Sequence, residues 1–206
     1  MLSKRLLNES RPTSRRAQAG WRREQLLDAA LAVFVDKGID GATVKDITDA
    51  AGVTQGLLYH HFAGKDAVLM ALLSERGFLP ELRDVLTASG DRPAAEVLHE
   101  VATGFRRVLA ENGELVSLFF AAGRSNPAIR AGRGEFVAEG QRLLADYLAA
   151  RVAAGDLRPH DTRTAAQLLL SSVALGQVTG TGVDPAALVD VILHGLAANL
   201  KRGGQQ

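Results

Sequence analysis

Five residues in one short segment have side chains or backbone suited to meeting a nucleic acid. They are Thr54, Gln55, Gly56, Tyr59 and His60, and in a helix they are left facing outward. Leu58 and Phe62 lie four residues apart and point inward. The edges of bases in the DNA major groove are polar, and a helix can reach them there. The segment therefore predicts base contacts from Thr54, Gln55, Gly56 and His60. Gln55 is suited to a bidentate bond with adenine, and Gly56 allows close approach of the backbone.

The elements around this segment predict a helix-turn-helix. Thr43 is a good N-cap, and Asp46 follows three residues later, close to a capping box. Gly52 can turn the chain sharply after the first helix, and Thr54 caps the second. The inner face of the first helix is predicted to carry Ile47, Ala50 and Ala51. Their small size would let the second helix pack close by.

Residues 23 to 69 resemble the DNA-binding domain of the TetR family of transcriptional regulators. The matching positions are Arg23, Ala29, Ala30, Phe34, Gly38, Thr43, Ile47, Ala51, Gly52, Val53, Gly56, Tyr59, Phe62, Lys65 and Asp66. The resemblance implies that Thr43, Tyr59 and Lys65 contact DNA phosphates. For the rest of the chain it implies only the size and an all-helical build.

Charge is distributed unevenly along the chain. Residues 1–23 contain seven Lys and Arg against one Glu, whereas residues 24–70 contain three Lys against seven acids. The excess of cations at the N-terminus predicts a basic arm. Two interpretations stay open: a disordered tail, or an arm that follows the DNA backbone or enters the minor groove.

Hydrophobic periodicity predicts an all-α protein in three parts. These are a basic flexible arm over residues 1–19, a three-helix DNA-binding domain over 20–65, and a helical ligand-binding and dimerisation domain over 66–206. The first helix is predicted over 21–37, ending at Gly38. A longer one is predicted to start at Asp66 and continue past Pro80, which would bend it rather than end it.

The last two helices are predicted over 161–179 and 184–201. The first is apolar around nearly its whole circumference, so it needs cover on two sides. The second carries apolar residues, among them Leu193 and Leu196, along one face. Two interpretations are open: both helices complete the core of a monomer, or they form a four-helix bundle with a second copy of the chain. The bundle is favoured, because it covers both faces and TetR-like proteins dimerise in this way.

Most aromatic residues fall in the helices expected to line a cavity. The predicted ligand contacts are Phe105, Leu109, Phe119, Phe120, Phe136, Leu144 and Tyr147; the alternative is that these residues only fill the core. The predicted function is a DNA-binding regulator, expected to be a repressor, that holds a palindromic operator as a dimer. A largely apolar small molecule in the C-terminal domain would release it. The alternative keeps the same DNA-binding head, with a C-terminal domain that binds a protein partner.

Other classes of function find little support in the sequence. Catalytic motifs and phosphate-binding glycine loops are missing, so no enzymatic activity and no cofactor are predicted. The chain has no cysteine, which excludes disulfides and thiolate metal sites. Glu96, His99 and Glu100 share a helical face but suit a solvated surface better than a metal site. No signal segment or membrane-length apolar run is apparent, so a cytoplasmic location is expected.

Overall fold

The computed structural model describes residues 15–121 and 127–195, and within these ranges the chain forms ten α-helices and no strand. The helices are α1 (Arg15–Gly41), α2 (Val44–Ala51), α3 (Gln55–His61), α4 (Lys65–Arg76), α5 (Leu79–Thr87), α6 (Ala94–Glu111), α7 (Gly113–Ala121), α8 (Pro127–Ala153), α9 (Thr162–Thr179) and α10 (Pro185–His194). The predicted all-α class is confirmed. The chain divides into two compact units between Leu72 and Leu73, inside α4.

The first unit has a small apolar core built from four helices. Its largest fully buried side chains are Leu26, Leu27 and Phe34 of α1, Ile47 of α2, Leu58 of α3, and Leu69 and Leu72 of α4. On α2, the prediction of inward small residues is wrong at Ala50, which is exposed. Thr48 is buried in its place, and its hydroxyl donates to the Lys45 carbonyl at 3.0 Å. That bond satisfies the hydroxyl within the helix, so threonine can take an inward position.

The first helix is longer than the sequence indicated. It begins at Arg15, so residues 15–19 of the predicted arm are helical; residues 1–14 lie outside the described part of the chain. Gly38 interrupts the helix as expected, with φ 70° and ψ 165°. One further turn, stabilised by a bond from the Ala42 N–H to the Gly38 carbonyl, leads into α2.

Pro80 starts a helix, where the sequence predicted that it would bend one. α4 ends at Arg76, and α5 begins at Leu79 with the proline in its first turn. Proline lacks an N–H and its ring would clash with the carbonyl four residues earlier, which here is that of Arg76. Gly77 occupies the break, and a Cβ on it would come within 2.2 Å of the Leu73 carbonyl oxygen. The chain can therefore turn here only because residue 77 is glycine.

The second unit packs α5, α6, α8, α9 and α10 around one core. The buried residues at its centre include Leu82, Leu98, Leu144, Leu148 and Leu169. Asp161 caps α9 by accepting two backbone N–H bonds from its first turn, and Asp184 caps α10 by accepting one. None of the helices in the described ranges is both long and apolar enough to cross a membrane.

The last two helices leave a row of apolar side chains uncovered. Leu168, Leu175 and Val178 of α9 are 54%, 63% and 48% exposed, and Val191 of α10 is 44% exposed. α10 ends at His194, where Gly195 takes a positive φ of 73°, so the predicted helix to Lys201 is interrupted there. Leu193 is half-buried, whereas Leu196 and the remainder of the chain lie outside the described residues.

Candidate functional site

The outer face of α3 matches the sequence prediction. Thr54, Gln55, Gly56, Tyr59 and His60 are all exposed, while Leu58 and Phe62 are 0% and 5% exposed. The Thr54 hydroxyl accepts the Leu57 N–H at 3.3 Å and so caps the helix. Its own proton is not used in this bond and remains available to a base or a phosphate.

Thr43 closes a complete capping box at the start of α2. Its hydroxyl accepts the Asp46 N–H at 3.1 Å, and Asp46 accepts both the Thr43 N–H at 2.9 Å and the Thr43 hydroxyl at 2.6 Å. Lys37 completes the network with a 2.6 Å bond to the other carboxylate oxygen. The Lys37 ammonium, followed by the two donors of Thr43, holds the pKa of Asp46 well below its usual range. Both Thr43 donors are therefore already engaged within the protein.

Lys65, the first residue of α4, is bonded to backbone rather than directed into solvent. Its half-buried ammonium donates to the carbonyls of Ile39 and Ala42 at 2.6 and 2.9 Å. In a continuous helix these carbonyls would receive the N–H groups of Thr43 and Asp46, four residues further on. The capping box uses those two N–H groups. Lys65 thus satisfies the two carbonyls that the capping box leaves without partners.

Two adjacent arginines of α1 have different surroundings. The Arg23 guanidinium lies 4.4 Å from the centre of the Phe62 ring, in cation–π geometry. Arg22 is exposed and lines a shallow groove together with Thr54, Gly56 and His60. Half-burial, and then the charges of His60, Arg23 and Arg22, lower the pKa of the neighbouring His61. The charges of Arg22 and Arg23 thus act at the same end of the unit as the exposed residues of α3.

Gly56 has no packing reason to be glycine. Its φ is not in the left-handed region, and a Cβ on it would contact only the Thr54 Oγ1, at an ordinary 3.9 Å. Glycine in a helix is less stable than alanine by about 0.5–1 kcal/mol. The fold therefore does not explain this glycine, and the close approach of DNA to the backbone at Gly56 stays a prediction.

The second unit contains an apolar cavity of about 310 Å³. Side chains from the end of α4 and from α5 to α9 line it. The polar residues among them are Arg76, Asn112, Gln141 and Ser171. Phe78 and Phe105 stack at its wall with ring centres 4.6 Å apart. A volume of this size with an apolar lining and a few polar groups is typical of small-molecule sites.

Four of the seven predicted ligand residues line this cavity: Phe105, Leu109, Phe120 and Phe136. Leu144 and Tyr147 do not. They lie further along α8, in the closed core, with exposures of 0% and 8%. The buried Tyr147 hydroxyl has no hydrogen-bond partner among the described residues. The side chain of Phe119 lies outside the described part of the structure.

Small residues shape the cavity and were missed as site residues. Gly77 lies at the cavity wall, where a Cβ would stand 3.2 Å from the Phe136 ring, and Gly140 brings α8 against Leu79 of α5. Ala174 adds a short side chain from α9. Phe136 and Gly140 are four residues apart on α8 and therefore share a face of that helix. This spacing was the one feature of the sequence that could have placed both residues at the same site.

Two family patterns cover most of the chain. The family described as "Bacterial regulatory proteins, tetR family" matches residues 26–72. The pattern described as "AefR-like transcriptional repressor, C-terminal domain" matches residues 84–179. The chain is a member of the TetR family. The first match contains both helices of the helix-turn-helix, and the second contains most of the cavity lining.

Curated relatives of this TetR-family protein are transcriptional regulators. The HTH-type transcriptional repressor KstR2 of Rhodococcus jostii is 38% identical over 96 residues, which are 44% of this chain and 45% of that protein. KstR2 of Mycobacterium tuberculosis is 42% identical over 78 residues, 36% of this chain and 38% of that one. The chain thus spans less than half the length of these two relatives.

Solved structures of two regulators share the fold. The regulator FadR of Bacillus subtilis, in complex with stearoyl-CoA, superposes with a TM-score of 0.67 at 22% identity, covering 84% of this chain and 99% of that one. The fatty acid degradation regulator FadR of Bacillus halodurans gives a TM-score of 0.66 at 27% identity, over 85% and 96% of the two chains.

Proposed function

We propose that this TetR-family protein is a transcriptional repressor that binds a palindromic operator as a dimer and leaves it when an apolar small molecule enters the cavity. The observation that carries the proposal is the combination of two features. One is the exposed polar face of α3 over a buried apolar face, and the other is a separate apolar cavity of about 310 Å³ in the second unit.

Base contacts are assigned to the exposed face of α3. Gln55 has both a donor and an acceptor for the N6 and N7 positions of adenine, while Thr54 and His60 can each form one further bond. Gly56 would let the helix backbone lie close to the groove. Tyr59, which is 55% exposed, is assigned to a phosphate.

The ligand is proposed to be mainly apolar. The polar groups around the cavity are too few to satisfy a strongly polar compound, whose unpaired groups would be costly to bury. The cavity also favours this function over the alternative of a protein partner. A domain that only binds a protein partner needs no cavity and could have a solid core, whereas a ligand needs the space that this unit provides. Stearoyl-CoA, the ligand in the Bacillus subtilis FadR structure, carries a long apolar acyl chain. Acyl-CoA thioesters are therefore reasonable first probes, with the acyl chain in the cavity and the charged CoA part outside it.

We propose that α4 transmits the effect of ligand binding to the DNA-binding residues. The same helix carries Lys65 at its first residue and the cavity residues Leu73 and Arg76 at its end. A ligand that favours one position of α4 over another would shift the recognition helices between binding and non-binding arrangements. A difference in affinity between the two states is all that such a switch requires.

The dimer is proposed to form through α9 and α10. Their uncovered apolar row of Leu168, Leu175, Val178 and Val191 would be buried by a second copy related by two-fold symmetry. Two recognition helices would then read half-sites about one turn of DNA apart, or a multiple of it.

Selection from a randomised DNA duplex library tests this function. We expect enrichment of a palindrome that binds two protein chains, with centres of the half-sites about 10 base pairs apart or a multiple of this. Failure to enrich any sequence, or binding of single chains to asymmetric sites, would contradict the proposal.

A further inference from the structure

In the DNA-binding unit, two of the three residues that the family resemblance assigns to phosphates are bonded within the protein. The residue that neutralises the operator phosphates therefore has to be sought again. The TetR resemblance implied Thr43, Tyr59 and Lys65. The two Thr43 donors bind Asp46, and two of the three donors of Lys65 bind the carbonyls of Ile39 and Ala42. Tyr59 is exposed, and its phenol can donate a hydrogen bond but supplies no positive charge.

Lys65 is placed to hold the protein together at this point. The segment from Gly38 to Thr43, here called the α1–α2 connection, contains two carbonyls whose helical partners are taken by the capping box. Ile39 and Ala42 are 8% and 2% exposed, so water has little access to them. Loss of the ammonium would leave these carbonyls unsatisfied and would free α4 from the connection that leads into the helix-turn-helix.

Arg22 is a cation in the position that a phosphate contact needs. It lines one groove with Thr54, Gly56 and His60, three of the four residues assigned to bases. Over residues 15–121 and 127–195, no hydrogen bond or ion pair of its side chain is present. An arginine can bind a phosphate with two parallel N–H bonds, and its charge is permanent.

We propose that Arg22 is the residue that neutralises an operator phosphate beside the recognition helix, and that Lys65 is a positioning residue that holds the α1–α2 connection to the start of α4. The proposal rests on the proposed function, because it concerns the same operator complex. It gives Lys65 a structural role in place of the phosphate contact that the family resemblance implied, and it gives a phosphate contact to Arg22.

The test compares R22M and K65M, which each remove one positive charge. The probe is the duplex selected by the unmodified protein, and affinity is measured over a range of salt concentrations. Each lost phosphate contact lowers the slope of log affinity against log salt by about 0.9, so a dimer of R22M should lose about 1.8. K65M should weaken binding at every salt concentration with the slope unchanged. The matched control is R158M, which removes an exposed positive charge in the second unit. It should alter neither the slope nor the affinity.

Stability provides a second readout. K65M should lower the melting temperature by about 4–8 °C, because two carbonyls lose their donor. R22M should change it by less than about 2 °C. Should K65M fail to fold, K65Q removes the charge but keeps an N–H donor, and it should bind with an unchanged slope.

The outcomes separate this inference from the proposed function. A lower slope for K65M or K65Q, or an unchanged slope for R22M, overturns the inference while leaving the protein a DNA-binding regulator. Failure of the unmodified protein to select any duplex refutes the proposed function itself. Slopes and stabilities that follow the stated pattern support a phosphate contact by Arg22 and a structural role for Lys65.

Discussion

Replacing Gly56 with alanine should make the protein more stable and a poorer binder of DNA. The added Cβ meets only the Thr54 Oγ1 at 3.9 Å, so the folded chain accommodates it without strain. The gain from a glycine-to-alanine change in a helix is about 0.5–1 kcal/mol. For a chain of this length, that corresponds to a rise in melting temperature of about 1–4 °C.

The same methyl group should clash in the operator complex if the backbone approaches the bases here. Adding a methyl to a well-packed contact typically costs about 1–3 kcal/mol. That free energy corresponds to a loss of affinity of about 5- to 150-fold for each subunit. Fluorescence anisotropy on the selected duplex measures the affinity, and a thermal melt measures the stability.

Gly134→Ala is the matched control for this experiment. It is also an exposed helical glycine with open space around its Cβ, but it lies on α8 in the second unit. It should raise the melting temperature similarly and leave the operator affinity unchanged. If the Gly56→Ala variant binds the selected duplex with an affinity within twofold of that of the unmodified protein, the close approach of the helix backbone to the bases is refuted. A fall in its melting temperature would show that the fold itself requires glycine there.

Four further predictions follow from individual contacts. Gln55→Ala should cost about 1–3 kcal/mol of operator binding and relax the preference at one base pair, as judged by binding to single-position variants of the duplex. Tyr147→Phe removes a buried hydroxyl with no described partner, so urea unfolding should show stability unchanged or raised by about 1 kcal/mol; a loss of more than 1 kcal/mol would contradict this. The pKa of Asp46 is lowered in the folded state, so its stabilising effect is present above its unfolded pKa of about 4 and is lost as the pH falls towards the folded value. The melting temperature of the unmodified protein should therefore fall more between pH 5 and pH 3 than that of Asp46→Asn, and parallel falls would contradict the assignment. Leu168→Glu would bury an unpaired charge at the proposed dimer seam and should give a monomer in sedimentation that no longer binds the operator; a stable dimer would place the interface elsewhere.

The helix-turn-helix could be predicted in detail because its signals are local. Thr43, Gly52 and Thr54 act on residues within three or four positions, and the alternation of exposed and buried residues on α3 follows from helical spacing alone. The bonds of Lys65 could not be found in this way. They join residues 26 and 23 positions apart, and they exist only because the capping box has taken the local partners of both carbonyls.

The cavity was predictable in part for the same reason. Aromatic residues marked α6 to α8 as its walls, but the depth of each residue depends on how six helices pack together. Phe136 and Leu144 share a face of α8, two turns apart. The first reaches the cavity, while the second lies in the closed core. Spacing along one helix cannot tell where a neighbouring helix closes over it.

The most direct test of the central claim is operator affinity with and without a compound that fills the cavity. Saturated acyl-CoA thioesters and uncharged apolar compounds would first be screened by thermal shift, with Ala174→Phe, which fills part of the cavity, as the variant that should lose the shift. A compound selected in this way should weaken operator binding by about 5- to 150-fold, corresponding to a coupling free energy of about 1–3 kcal/mol. A compound that stabilises the unmodified protein but not Ala174→Phe, and leaves operator affinity unchanged, would contradict the account of a ligand-released repressor.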